Sequence, residues 1–170
     1  MTANGNVRVD TSRPKFGSGS AFFDGSGDYL AIRDSSDFDL GSADFTIEAW
    51  LNLNGLGNAQ VICEKFTGSL AGYSFYINGD GRISFVFDGT DHITTKKLAP
   101  AIWYHVAVVR QGGSFRTYLD GKERLSITAA VQKGFDAKKI KKNAKDIVLL
   151  YDTQDYVVPM SDGESFSQLL

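Results

Sequence analysis

Between positions 44 and 53 the chain reads Asp-Phe-Thr-Ile-Glu-Ala-Trp-Leu-Asn-Leu, an alternation of apolar and polar side chains. A period of two marks a strand with one buried face. It puts Phe45, Ile47, Ala49, Leu51 and Leu53 on one side and Thr46, Glu48, Trp50 and Asn52 on the other. Residues 20–24, 28–32, 60–65, 72–77, 82–87, 102–110, 114–119 and 122–127 read as further short strands. Turn residues separate several of them: Gly25-Ser26-Gly27, Asn78-Gly79-Asp80-Gly81, Gln111-Gly112-Gly113 and Asp120-Gly121. Asn-Gly and Asp-Gly supply the positive φ that tight hairpins need. No helical period intervenes. Such a series predicts an all-β fold, an antiparallel two-sheet sandwich or jelly roll whose facing side chains share one core.

Composition narrows the function classes. A chain of 170 residues is about one domain's worth and can bury a sizeable core. A net charge of −2 argues against nucleic acid or an anionic membrane surface as the main partner. No stretch approaches the ~18–20 apolar residues of a membrane span, so membrane insertion is not expected. The first residues lack the basic-then-apolar layout of a signal peptide. That fits a cytoplasmic protein, one whose leader was removed, or a piece of a longer chain. The single cysteine, Cys63, excludes an intramolecular disulfide and a zinc site built on several thiolates. Its apolar neighbours Val61 and Ile62 mark it as a buried structural thiol.

The character of the chain changes near residue 133. Sixteen of the 18 glycines precede position 134, while six lysines fall between Lys133 and Lys145. We therefore expect two regions: a jelly-roll domain over 1–133 and a Lys-rich extension over 134–170. The extension reads as helix, strand and helix, a short α/β-like addition. Residues 136–143 suit a basic helix, and 146–151 an apolar strand buried on both faces. Residues 161–170 suit a helix with Ser161 and Glu164 as a capping box.

Four blocks carry a family resemblance. Phe22-Phe23-Asp24-Gly25-Ser26-Gly27-Asp28-Tyr29-Leu30 comes first, then Asp44-Phe45-Thr46-Ile47-Glu48-Ala49-Trp50. Trp103-Tyr104-His105-Val106-Ala107-Val108-Val109-Arg110 and Tyr118-Leu119-Asp120-Gly121 follow. Over residues 16–128 the chain resembles the laminin-G-like branch of the concanavalin A-like lectin/glucanase superfamily. The resemblance implies a jelly roll of two curved sheets that binds ligands on a concave face or rim loop, in an extracellular or cell-surface setting. It also implies a rim Ca²⁺ ion, for which Asp24 and Asp28 match the block where ligands begin. Calcium takes six to eight oxygens, so carbonyls and a further acid must join them. The family's closing Gly-x-Ile-Asp-Asp-Val-Arg-Ile-Tyr type strand has no counterpart directly after Ile127. The apolar strand at 146–151 is then a candidate to close the sandwich.

The tail resembles something else. Residues 140–151 followed by Asp152-Thr153-Gln154-Asp155-Tyr156-Val157-Val158-Pro159 look like the late strand and acid loop of small α/β-hydrolases, with Asp155 in the position of the triad acid. No Gly-x-Ser-x-Gly elbow is present and no histidine follows Asp155. A working hydrolase is therefore not expected; a degenerate fragment or a fused reading frame is the alternative. Catalysis of the glucanase kind is not expected either. The resemblance would require a Glu-x-Asp-x-Glu strand with carboxyl groups about 5–5.5 Å apart, and none occurs.

The remaining candidates concern binding. Trp50, opposite the apolar set of its strand, reads as a sugar-stacking ring or as core packing. Tyr73 carries the same pair of readings. His92 reads as part of a binding loop or as a solvated loop residue, and His105 as a strand histidine with a satisfied hydrogen bond. Asp34, Asp37 and Asp39 read as a solvated loop or as calcium ligands. The expected function is a non-catalytic lectin-like module for a glycan; the alternative is a structural or adhesion module that binds a protein surface.

Overall fold

The computed structural model describes residues 1–66, 72–87, 89–127 and 156–159. Thirteen strands fall in these residues: β1 (Thr2–Asn4), β2 (Arg8–Asp10), β3 (Ser20–Phe22), β4 (Tyr29–Ala31), β5 (Phe45–Leu53), β6 (Gln60–Phe66), β7 (Gly72–Ile77), β8 (Arg82–Phe87), β9 (Thr90–Lys97), β10 (Trp103–Gln111), β11 (Ser114–Leu119), β12 (Lys122–Ile127) and β13 (Tyr156–Pro159). One 3-10 turn, Ser36–Phe38, interrupts the loop before β5. A seven-stranded sheet runs β12-β11-β10-β5-β13-β3-β2, a four-stranded sheet runs β6-β7-β8-β9, and β1 pairs with β4. Every pairing is antiparallel. The all-β jelly-roll sandwich expected from the alternating strands is the fold observed. Among the described residues no helix is long and apolar enough to cross a membrane.

The core lies between the two sheets. Ile47, Ala49, Leu51 and Leu53 of β5 meet Val106 and Val108 of β10 on the inner face of the large sheet. Ile62 and Cys63, Tyr73, Phe75 and Ile77, and Ile83 and Phe85 supply the opposing face from β6, β7 and β8. Both sets join one buried cluster. The hairpin at 78–81 forms as read. Asn78 Oδ1 accepts the Arg82 N–H at 2.9 Å, and Gly81 sits at φ +88° with no room for a side chain beside the Leu98 carbonyl.

Three strands went unread in the described first part of the chain. β1 and β2 have three residues each, too short for a period to show. β9 is Thr-Asp-His-Ile-Thr-Thr-Lys-Lys, an edge strand of the small sheet whose only aliphatic, Ile93, is 42% exposed. Its polar composition resembles a loop, as edge strands often do.

The large sheet is completed by a strand from the tail. β13 pairs with β3 through Val157↔Phe22, Val158↔Ala21 and Pro159↔Ser20, and with β5 through Tyr156↔Leu53 and Val157↔Asn52. The stretch that resembled a hydrolase acid loop thus ends in sheet pairing. The expected strand at 146–151, the helices at 136–143 and 161–170, and Asp155 lie outside the described residues.

Two predictions follow from this packing. A chain ending at Ala130 leaves the facing edges of β3 and β5 unpaired, and it is expected to elute as a larger species than the full chain in size-exclusion chromatography. Unchanged elution would show that β13 is dispensable. Cys63 is fully buried, and burial pushes its thiol up to about 12. The reactive form is the thiolate. At pH 8 the native protein is expected to ignore Ellman's reagent and to react after unfolding in urea; rapid native labelling would contradict the burial.

Candidate functional site

The outer face of the large sheet carries an aromatic platform. Ile47, Ala49 and Leu51 point inward, so Trp50 must point outward, and it is half-buried there. The β5–β10 register sets His105 directly opposite Trp50, with ring centroids 5.2 Å apart at 47°. Phe16, 44% exposed, meets Trp50 edge-on at 5.5 Å and 88°. Glu48 shares the face two residues before Trp50, and its Oε2 lies 3.3 Å from His105 Nε2. Lys15 sets its ammonium 4.0 Å from the centre of the Trp50 ring. Flat apolar surface is thus bordered by a carboxylate, an imidazole and an ammonium. That mixture suits a ligand with an apolar face and polar edges.

Sequence reasoning placed Trp50 on the outward side but left its neighbours out. Phe16 stood as one ring in a Gly- and Ser-rich stretch. His105 joins Trp50 only through cross-strand register, which a single strand does not display.

The other candidates sit elsewhere. Tyr73 is 2% exposed and shares the inner face with Phe75 and Ile77. Its ring packs in the core and presents no face to solvent, which corrects its reading as a sugar-stacking residue. Burial also pushes its hydroxyl up to about 12. His92 lies in strand β9 and not in a loop. It pairs with Phe85, and its imidazole stacks on Phe115 at 5.5 Å and 25°.

Asp24 and Asp28 act on their own backbone. Asp28 is fully buried. Its Oδ2 accepts the Asp24 N–H at 2.7 Å and its Oδ1 accepts the Asn6 N–H. Asp24 accepts the Ser26 N–H at 2.8 Å and the Asn6 side-chain amide at 3.1 Å. These bonds, the Ser26 bond foremost, hold the Asp24 carboxyl below its ordinary range. Gly5 sits at φ +75°, where a Cβ would collide with Asp28 Oδ1. The two acids therefore tie the β1–β2 loop to the β3–β4 turn. Among the described residues no group of three or more His, Cys, Asp or Glu gathers to hold a metal ion. With both carboxylates committed to N–H donors, the pair does not fit a calcium ion that takes six to eight oxygens.

The acidic loop is likewise answered from within. Lys65 Nζ lies 2.6 Å from Asp34 and 2.7 Å from Asp39, and it donates to the Ser35 carbonyl at 3.0 Å. The Ser35 hydroxyl oxygen accepts the Asp37 N–H at the start of the 3-10 turn. The cation bound by this loop is a lysine of β6.

Two stacked antiparallel sheets with a polar-rimmed aromatic face define a lectin-like β-sandwich. The chain belongs to the concanavalin A-like lectin/glucanases superfamily, whose laminin G type family matches residues 24–146. Solved structures share the fold. Carbohydrate binding module CBM66 from Bacillus subtilis is similar at 17% identity and a TM-score of 0.51, over 93% of this chain and 91% of that one. Domain 4 of AbnA, a GH43 extracellular arabinanase from Geobacillus stearothermophilus solved with arabinotriose, is similar at 12% identity and a TM-score of 0.57, over 94% and 69%. A Bacteroides ovatus protein is similar at 18% identity and a TM-score of 0.43, over 68% of this chain and 31% of that one, so the chain spans about a third of its length. Among the curated proteins none matches.

The Asp28 anchor is open to test. Asp28→Asn replaces one acceptor by an N–H donor facing a donor. It is expected to cost ~1–3 kcal/mol of stability in urea unfolding. Added calcium chloride is expected to leave the wild-type midpoint unchanged; a rise in the midpoint would return a metal to this turn.

Proposed function

We propose that this domain is a non-catalytic carbohydrate-binding module, with Trp50 as its stacking ring. The observation that carries the reading is the outward, half-buried Trp50 flanked by Phe16, His105 and Glu48 on the large sheet. Membership of a lectin-containing superfamily supports it, as does the likeness in fold to a bacterial carbohydrate binding module and to an arabinanase domain solved with arabinotriose. A flat indole complements the C–H face of a pyranose or furanose. Glu48 and His105 stand beside it to take sugar hydroxyls. Such a role fits an extracellular or cell-surface setting. Tyr73 takes no part, and the Asp24–Asp28 turn supports the loops without calcium.

Lys15 must move for a sugar to stack on the ring. A cation over an exposed aromatic ring is worth ~0.5–1 kcal/mol. Displacing the lysine therefore costs no more than about 1 kcal/mol.

A glycan array followed by titration calorimetry tests the reading. Trp50→Ala is expected to weaken the best ligand about tenfold or more while the far-ultraviolet circular dichroism stays that of a β protein. EDTA is expected to leave binding unchanged. If no glycan binds, or if Trp50→Ala binds as well as the wild type, the reading fails. The domain is then better described as a protein-interaction module.

A further inference from the structure

A second cluster lies at the end of the sandwich where β5 and β11 begin and β8 and β10 finish. The inner faces of the two sheets meet there in Phe45, Phe87 and Phe115, each partly buried against the core. Phe87 and Phe115 are 5.2 Å apart, Phe45 and Phe115 6.2 Å, and His92 stacks on Phe115. Arg110 points into this group. In register it opposes Phe45 on one side and Phe115 on the other. Its guanidinium carbon sits 5.3 Å from the centre of the Phe87 ring and 5.5 Å from that of Phe115.

Among the described residues no carboxylate answers the charge of Arg110. A cation turned between two sheets ordinarily has a carboxylate partner. Among the described residues none lies within ion-pairing distance of Arg110. Nη1 donates to the Gly41 carbonyl, and Nε is buried without an acceptor. The nearby acids are engaged: Asp44 accepts the Gly112 N–H, and Asp91 accepts the Tyr76 hydroxyl. Burial holds His92 below its ordinary range, so near neutral pH its ring is an uncharged flat surface and donor rather than a competing cation.

We infer that Arg110 anchors a second subsite that takes the carboxylate of an acidic sugar, a hexuronate unit. A planar guanidinium matches a carboxylate in paired hydrogen bonds. The rings of Phe87, Phe115 and His92 offer apolar surface to the sugar that carries it. The inference rests on the carbohydrate-binding reading but uses none of the residues of the Trp50 platform.

The test uses the full chain, an oligogalacturonate and a neutral hexose oligomer of equal length. Binding is followed by calorimetry and by amide chemical shifts. The uronate is expected to shift the amides of Phe87, His92 and Phe115. Its affinity should fall about ten- to hundredfold in Arg110→Gln, the range for hydrogen bonds to a charged group, while that of the neutral oligomer should not change. Arg110→Lys should recover only part of it, because an ammonium cannot pair both carboxylate oxygens in one plane. If Arg110→Gln fails to fold, the wild-type shifts decide: perturbation confined to Trp50 and His105 overturns the subsite. Uronate affinity unchanged in folded Arg110→Gln also overturns it. If the neutral oligomer binds and the uronate does not, the subsite falls and the platform stands. If neither binds, the subsite falls and the glycan array decides the platform.

Discussion

The sandwich depends on how β5 and β10 lie against each other. Eight residue pairs join them, from Trp103↔Asn52 to Arg110↔Phe45. On the inner side this register stacks Val106 on Ala49 and Val108 on Ile47, all buried. On the outer side it brings His105 to Trp50 and Ala107 to Glu48. One set of backbone hydrogen bonds therefore fixes both core and platform. A slip of one residue would exchange the two faces, sending Trp50 inward and Ile47 into water. Burial of the aliphatic side thus determines the exposure of the aromatic side.

Much of this was legible in the sequence because the governing signals were local. Period-two alternation located β5 and β8, and Asn-Gly, Gly-Gly and Asp-Gly dipeptides located the hairpins between strands. The inner position of Tyr73 was legible as well, since it shares a side with Phe75 and Ile77; its ring was weighed as a ligand surface when its spacing already placed it in the core. What stayed hidden was non-local. The role of Asp28 depends on Asn6, and that of Arg110 on rings from both sheets. β9 carried too little apolar character to show a face, and β13 is a four-residue strand paired to partners from the first third of the chain.

The acids show how a polypeptide can resemble an ion site while serving its own fold. Asp24 and Asp28 occupy the block where the family resemblance implied calcium. Asp34 and Asp39 form the kind of acidic loop that invites the same reading. In each case the charge is taken up internally, by backbone N–H groups in the first and by Lys65 in the second. A carboxylate that accepts several N–H bonds needs no metal to remain ionised in a folded protein. Arg110 is the reverse case, a charged group whose neighbours are rings.

The position of β13 has a consequence for biosynthesis. β3 and β5 leave the ribosome early, and the strand that lies between them emerges roughly a hundred residues later. At translation rates of ~5–20 residues per second the gap stays open for several seconds. During that time the nascent chain exposes two facing strand edges, and either can recruit a neighbouring chain before the proper partner arrives. Cells making this protein fast or crowding its polysomes would meet that hazard first, and a chaperone holding those edges would relieve it.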